Sequence, residues 1–271
     1  MNAARRDFKI SLAAWSLHRA IRSNLITLLD FPRVARQTFG IEAIELVNTL
    51  FAAPTDAYIQ QLQQNAEDHG VKILLVMCDG EGSMGGRDKA ERTKTVRNHH
   101  KWIDIAVELG CHSIRVNLYG EEPQDIDDPH EFIARSVEGF SALVEYGATH
   151  DIDTLIENHG GLSSDPEVVR QVIDRVGSPH LGTLPDFGNL PEGVDRYDVV
   201  RRMMPYAKAV SAKCHDFDAN GNETTIDYER MMKIVVDEVG YHGYIGIEYE
   251  GDRLTEYEGI LACKALLERL S

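Results

Sequence analysis

The feature that most constrains this chain is an alternation. Short apolar, β-rich runs recur from end to end, each followed by a longer stretch with helical spacing. Strands are expected over 8–14, 41–47, 71–78, 112–118, 152–157, 180–186, 209–215 and 243–248, and the clearest helices over 55–69, 88–109, 129–149, 165–176, 226–239 and 255–270. Asp165-Pro166-Glu167 puts an acceptor at the N-cap and proline at the first helical position. Gly40, Gly70, Gly110 and Gly240 stand where a helix should end and a strand begin. Eight strands alternating with helices over roughly 250 residues is the count of a (β/α)8 TIM barrel. The segments share no repeated signature, as a solenoid would require. The Gly-rich first turn of a doubly wound sheet is absent. With no linker or composition break, residues 1–271 read as a single α/β barrel domain.

Charge narrows the function. The 28 Lys+Arg against 44 Asp+Glu give a net charge of −16. That charge opposes binding to nucleic acid, and no segment carries a basic stripe. No stretch approaches the roughly 20 apolar residues of a membrane span. The opening MNAARRDFKI has no apolar leader region, and the four cysteines form no C-x-x-C pair. Together these place the chain in the cytoplasm with reduced thiols. The expected partner is a small molecule, with a homo-oligomer as a further expectation.

In a parallel barrel the active site lies at the C-terminal ends of the strands. Strand five ends in Glu157, strand six in Asp186, strand seven in His215 and strand eight in Glu248. A carboxylate at a strand end often merely caps the next helix, but four metal-competent groups on consecutive strands point to one rim. Three carboxylates and an imidazole suit Mn²⁺, Mg²⁺ or Co²⁺ better than a structural zinc.

The runs IENHGG, PDFGN, SAKCHDFDANGNETTIDY and GYHGYIGIEYEG resemble the xylose isomerase-like TIM-barrel family, which includes sugar isomerases, ketose 3-epimerases and inosose dehydratases, with endonuclease IV more distant. The resemblance implies one divalent ion, Mn²⁺ first, with Mg²⁺, Co²⁺ or Zn²⁺ as alternatives, held by Glu157, Asp186, His215 and Glu248. It also implies that Glu157 and Glu248 act as the acid/base pair. Two positions depart from the pattern. Ser211 stands where many relatives have the histidine of H-x-K-D, and Asn189 where others have the histidine of Asp-x-x-His. Ser211, Lys213 and His215 share one face of the strand. The second departure and the charge argue against an endonuclease-like zinc cluster.

Such a site would acidify a C–H beside a carbonyl and pass its proton between glutamates. Return of the proton to the same carbon is epimerisation, and return to its neighbour is isomerisation. Loss of a β-hydroxyl would instead make the chain a lyase, a dehydratase on a keto-sugar or inosose. A sugar isomerase or epimerase is the first reading and the lyase the alternative; a non-catalytic sugar-binding barrel ranks below both. Lys213, His159, Asn117 and His18 are candidate substrate contacts. Lys213 is nearly as well read as a buried ion pair. Arg115, Glu45, Asn48 and Trp15 lie near the same rim, Trp15 equally as core packing. His99 and His100 are expected on a solvated helix face, and His69, His112, His180 and His242 at strand entries without chemistry. HGGLSS lacks the spacing and lysine of a phosphate loop, and DANGNE reads as a turn.

Overall fold

The computed structural model describes residues 6–118 and 128–271; the first five residues of the opening segment, read above for a leader, lie outside them. All eight expected strands form. They are β1 (Lys9–Ala13), β2 (Ala43–Val47), β3 (Lys72–Cys78), β4 (Ser113–Asn117), β5 (Asp153–Glu157), β6 (Leu181–Leu184), β7 (Val210–Cys214) and β8 (Tyr244–Tyr249). Each pairs in parallel with its neighbour in the order β6-β5-β4-β3-β2-β1-β8-β7. The two ends of that sheet meet through parallel bridges at Thr183–Ala207 and Asp186–Ser211, which close the barrel. The strands read as near-continuous apolar runs because both faces are buried, one by the barrel interior and the other by helices.

The helices are α1 (His18–Arg22), α2 (Phe31–Phe39), α3 (Asp56–Asp68), α4 (Lys89–Glu108), α5 (Pro129–Ala148), α6 (Pro166–Val176), α7 (Arg196–Met203), α8 (Tyr228–Met232) and α9 (Glu256–Arg269). Their starts follow from side-chain acceptors. Asp165 caps α6, Asp88 caps α4, and Thr255 with Glu258 builds a reciprocal capping box at α9. The four glycines expected at helix ends all take left-handed φ, from 63° at Gly70 to 75° at Gly240.

Three helices, α1, α2 and α7, add to the six expected, and α8 continues over Lys233–Glu238 as a wider π turn. One expectation is corrected. His99 does not face solvent; it is buried, and its Nδ1 lies 2.8 Å from the Thr95 carbonyl. His99 belongs to the stripe Arg92, Thr95, Val96, His99, Trp102, Ile103 and Ala106, which α4 turns to the barrel. His100, beside it, is half-buried and stacks on Tyr146 at 3.8 Å. No helix among the described residues is long and apolar enough to cross a membrane.

Candidate active site

Strand parity sends alternate residues into the barrel. Near the C-terminal ends of the strands those residues are charged. A cavity of about 340 Å³ opens there, lined by Trp15, Val47, Met77, Asp79, Arg115, His159, Asn189, Glu248 and Glu250. A larger cleft of about 910 Å³ lies at the opposite end of the barrel, around Phe8, Lys9 and Lys72 where β1 and β3 begin, away from every strand-end carboxylate.

Two cations organise the mouth. Arg115 on β4 is fully buried, and its Nη1 donates to Asp79 Oδ1 at 2.6 Å and Asn117 Oδ1 at 3.0 Å. Its Nε stands 2.8 Å from Glu157 Oε2 as an ion pair whose N–H is not aligned as a hydrogen bond. The other oxygen of Glu157 accepts from Asn189 Nδ2 at 2.9 Å. Asn117 Nδ2 in turn donates to Asp79 at 2.8 Å, so Asn117 braces the arginine cluster.

The second cation is Lys213 on β7. It is paired in register with Glu248 on β8, and its Nζ lies 2.5 Å from Glu248 Oε1 and 3.2 Å from Glu250 Oε2. Ser211 Oγ donates to the remaining Glu248 oxygen at 3.1 Å. A Cβ at Gly188 would come within 2.5 Å of Lys213 Cγ, so glycine there lets the lysine stem pass. Burial alone would lower the Lys213 pKa, but the surrounding carboxylates of Glu248, Asp186, Glu250 and Glu157 raise it above the ordinary lysine value.

Asp186 follows β6 at the seam of the barrel. Its Oδ1 accepts from the Gly188 and Asn189 amides at 2.7 and 2.6 Å, while Oδ2 is buried without a hydrogen-bond partner. Asn158 clasps its backbone from β5, donating to the Asp186 carbonyl and accepting from its amide. Burial pushes Asp186 up, against the pull of Lys213.

The carboxylates differ in acidity. Burial raises Glu157, Arg115 opposes this, and Asp186 and Glu248 reinforce it. Burial also acts on Glu248, but Lys213, then Arg115 and the Ser211 hydroxyl, outweigh it and hold that carboxyl below the ordinary value. Deeper in the barrel, Glu45 follows a register shift between Ile44 and Glu45 in the β2–β3 pairing. Its carboxylate lies against Gly246, where an added Cβ would come within 2.5 Å of Oε1. Ser11 Oγ donates to that oxygen at 2.6 Å, Oε2 is unpartnered, and burial raises the group to about 7.

The other expected residues divide. His159 lines the cavity, its imidazole held below the ordinary value by burial and by Arg115. His18 instead stacks on Trp15 at 4.7 Å, with Nδ1 2.6 Å from the Trp15 carbonyl. Trp15 lines the cavity and its indole N–H donates to Glu250, so it serves the mouth rather than the core alone. His215 is half-buried beyond β7, its backbone amide donating to Glu223 at 3.2 Å. Asp79 and Glu250 escaped the sequence reading, although Asp79 follows β3 and Glu250 shares parity with Glu248.

The divalent ion implied by the resemblance does not fit this donor set as built. Among the described residues no three His, Cys, Asp or Glu side chains converge to hold a metal. One oxygen of Glu248 faces an ammonium and the other a hydroxyl, Glu157 faces a guanidinium, and Ser211 offers no imidazole. Among the described residues of this set, Asp186 Oδ2 has no hydrogen-bond partner, Glu157 Oε2 has only the unaligned Arg115 Nε, and the His215 ring stands off toward Gly188, where an added Cβ would meet its Nε2 at 3.5 Å.

Fold and mouth together define a parallel (β/α)8 barrel with a carboxylate- and cation-lined cavity at the C-terminal ends of its strands. The chain belongs to the xylose isomerase-like TIM barrel family, whose description it matches over residues 33–269. It is 23% identical over 257 residues to the C-glycoside deglycosidase alpha subunit of Microbacterium trichothecenolyticum, covering 78% of this chain and 67% of that one. Among solved structures it resembles a D-tagatose 3-epimerase-like protein, with TM-score 0.77, 19% identity and 97% of each chain covered. It also resembles the probable 3-DHS dehydratase AsbF of Bacillus anthracis, with TM-score 0.73, 19% identity and coverage of 96% and 99%. At these identities the structural likeness establishes the fold.

Proposed function

We propose that the chain is an enzyme that epimerises or isomerises a small sugar or keto-sugar by moving a proton on the carbon beside a carbonyl. The observation carrying this reading is the pair Glu157 and Glu248. Both are buried near the strand ends, Glu248 lining the cavity and Glu157 against the cavity-lining Arg115 and Asn189, each pairs with a different cation, and their acidities are driven in opposite directions. Such divergence is how one site supplies both a base and an acid. The epimerase-like and deglycosidase relatives support a carbohydrate substrate.

Glu248, held ionised by Lys213, takes the proton. The C–H bond breaks, and its electron pair moves into the carbon–carbon bond of an enediolate as the carbonyl oxygen gains charge. Arg115, a fixed cation lining the cavity, favours that charge. Glu157, biased toward its protonated form, returns a proton to the carbon from another side of the mouth. The Asn189 amide and Arg115 orient Glu157, and His159 stands at the rim to bind a hydroxyl.

Incubation with ketohexoses and 3-keto-glucosides in D₂O, followed by NMR, tests the reading. Deuterium entering a substrate C–H without loss of water is the expected result. A dehydrated product would assign the lyase reaction instead. Exchange undiminished in Glu157→Gln/Glu248→Gln would remove both glutamates from the mechanism.

A further inference from the structure

The mouth of this barrel carries its own counter-ions. Lys213 Nζ stands between Glu248 and Glu250, its charge also felt by Asp186 and Glu157, and its side chain is only 2% exposed. Arg115 takes Glu157 and Asp79 at 2.8 and 2.6 Å from the other side. An ammonium in hydrogen-bond contact with a carboxylate both neutralises it and repels a second cation brought to the same oxygens. The Lys213 position is built rather than incidental. Its partner Glu248 is its register neighbour, Ser211 two residues earlier holds the remaining Glu248 oxygen, and Gly188 leaves the lysine stem room.

We infer that, with serine at position 211 where H-x-K-D has its histidine, Lys213 acts in this chain as the counter-ion of Glu248 and Glu250, so that the carboxylates of β8 are neutralised by an internal ammonium and the site works without bound metal. An ammonium has three N–H donors. One donates to Glu248 Oε1 at 2.5 Å, and Glu250 Oε2 lies 3.2 Å away as an ion pair. Lys213 is therefore a positioning residue: it fixes the Glu248 carboxylate and sets its charge. The inference concerns the site of the proton transfer proposed above, but metal binding is read without turnover, so either can fail alone.

The test is elemental analysis of the full chain purified without metal-affinity resin, followed by calorimetric titration with MnCl₂, MgCl₂, CoCl₂ and ZnCl₂. Trace metal only, with no saturable heat and no rise in Tm on adding MnCl₂, is expected. One ion per chain that is lost in Asp186→Asn would overturn the inference. Lys213→Met and Ser211→His/Lys213→Met are titrated alongside. Removing the ammonium and supplying an imidazole should raise Mn²⁺ affinity on the order of 10- to 100-fold over the native chain. A folded double variant that binds metal no better than the native chain would remove Lys213 from the role assigned to it. If neither variant folds, the native titration decides the matter alone.

Discussion

Glu157 and Glu248 make a controlled comparison inside one molecule. Both end barrel strands, their side chains are 2% and 7% exposed, and each has a cation within 3 Å. Yet burial prevails at Glu157 and the cation prevails at Glu248. The difference lies in how each cation is shared. Arg115 spends its aligned donors on Asp79, Asn117 and the Cys78 carbonyl, leaving an unaligned Nε toward Glu157. Lys213 lies 2.5 Å from Glu248, and Ser211 donates to the other oxygen. Proximity of a cation does not by itself lower a carboxyl; an aligned donor from that cation and a second donor on the other oxygen do.

The sharpest way to break the comparison is Glu248→Gln, which keeps the shape and removes the proton carrier. Turnover in the deuterium-exchange assay should fall by roughly 10²- to 10⁴-fold. Retention of about a tenth of the native rate would dismiss Glu248 as the base. The native pH profile of kcat/KM should be a bell. Its acid limb follows protonation of the depressed Glu248, and its alkaline limb follows ionisation of the raised Glu157. Because the groups interact, the limbs report the pair rather than either residue.

Lys213→Met strips one arm of its cation. Breaking a buried pair costs about 3–5 kcal/mol because the partner charge is left uncompensated. In the native chain Glu248 is depressed, so its contribution is present above the ordinary carboxyl range and is lost as pH falls. Without Lys213, burial raises Glu248, the sign reverses, and its contribution is lost as pH rises. Urea unfolding at pH 5 and pH 8 should therefore show the larger loss at pH 8. Equal losses would mean that Glu248 does not rely on Lys213 for its charge.

Much of this frame was legible in the sequence, because each strand is an apolar run long enough to bury on two faces. The unforeseen helices had weaker signatures. Helix α1 has only five residues, and α7 eight behind the single cap Asp195. Helix α2 ends at Gly40, where the sequence reading places a helix end, while the start signal at Pro32 went unread. His99 was misplaced because charge dominates the α4 sequence and masks its inward stripe. The strand-end rule located Glu157, Asp186 and Glu248, and also applies to Asp79, which it missed. The Lys213 ion pair was one of two readings of that residue, and register supplies its partner, Glu248; the pairing of Arg115 with Glu157, which lies two residues beyond its register partner Leu155, and the closure of the barrel at Asp186 and Ser211 were not legible locally.

Glu45 supplies the missing control, a buried glutamate whose one hydrogen-bond donor among the described residues is the Ser11 hydroxyl. Raised from 4.5 to about 7, it binds a proton in the folded chain that the unfolded chain has released between those values. Stability should therefore decline as pH rises through that window, by at most roughly 3 kcal/mol. Glu45→Gln should remove the decline and raise Tm at pH 8, leaving pH 4 little changed. If the variant lowers Tm at pH 8, the native carboxylate is stabilised by something other than Ser11.

The smallest expected effect sharpens the Glu157 side. Asn189 Nδ2 is the aligned neutral donor to Glu157, at 2.9 Å. Asn189→Ala should cost about 1 kcal/mol, the worth of one hydrogen bond, and more above neutrality than below it. The reason is that the amide favours the ionised carboxylate, so its loss pushes Glu157 further up. The alkaline limb of the activity profile should move to higher pH, while the acid limb, owned chiefly by Glu248, stays nearly fixed. Movement of the acid limb instead would reverse the roles of the two glutamates, with Glu157 the base and Glu248 the acid.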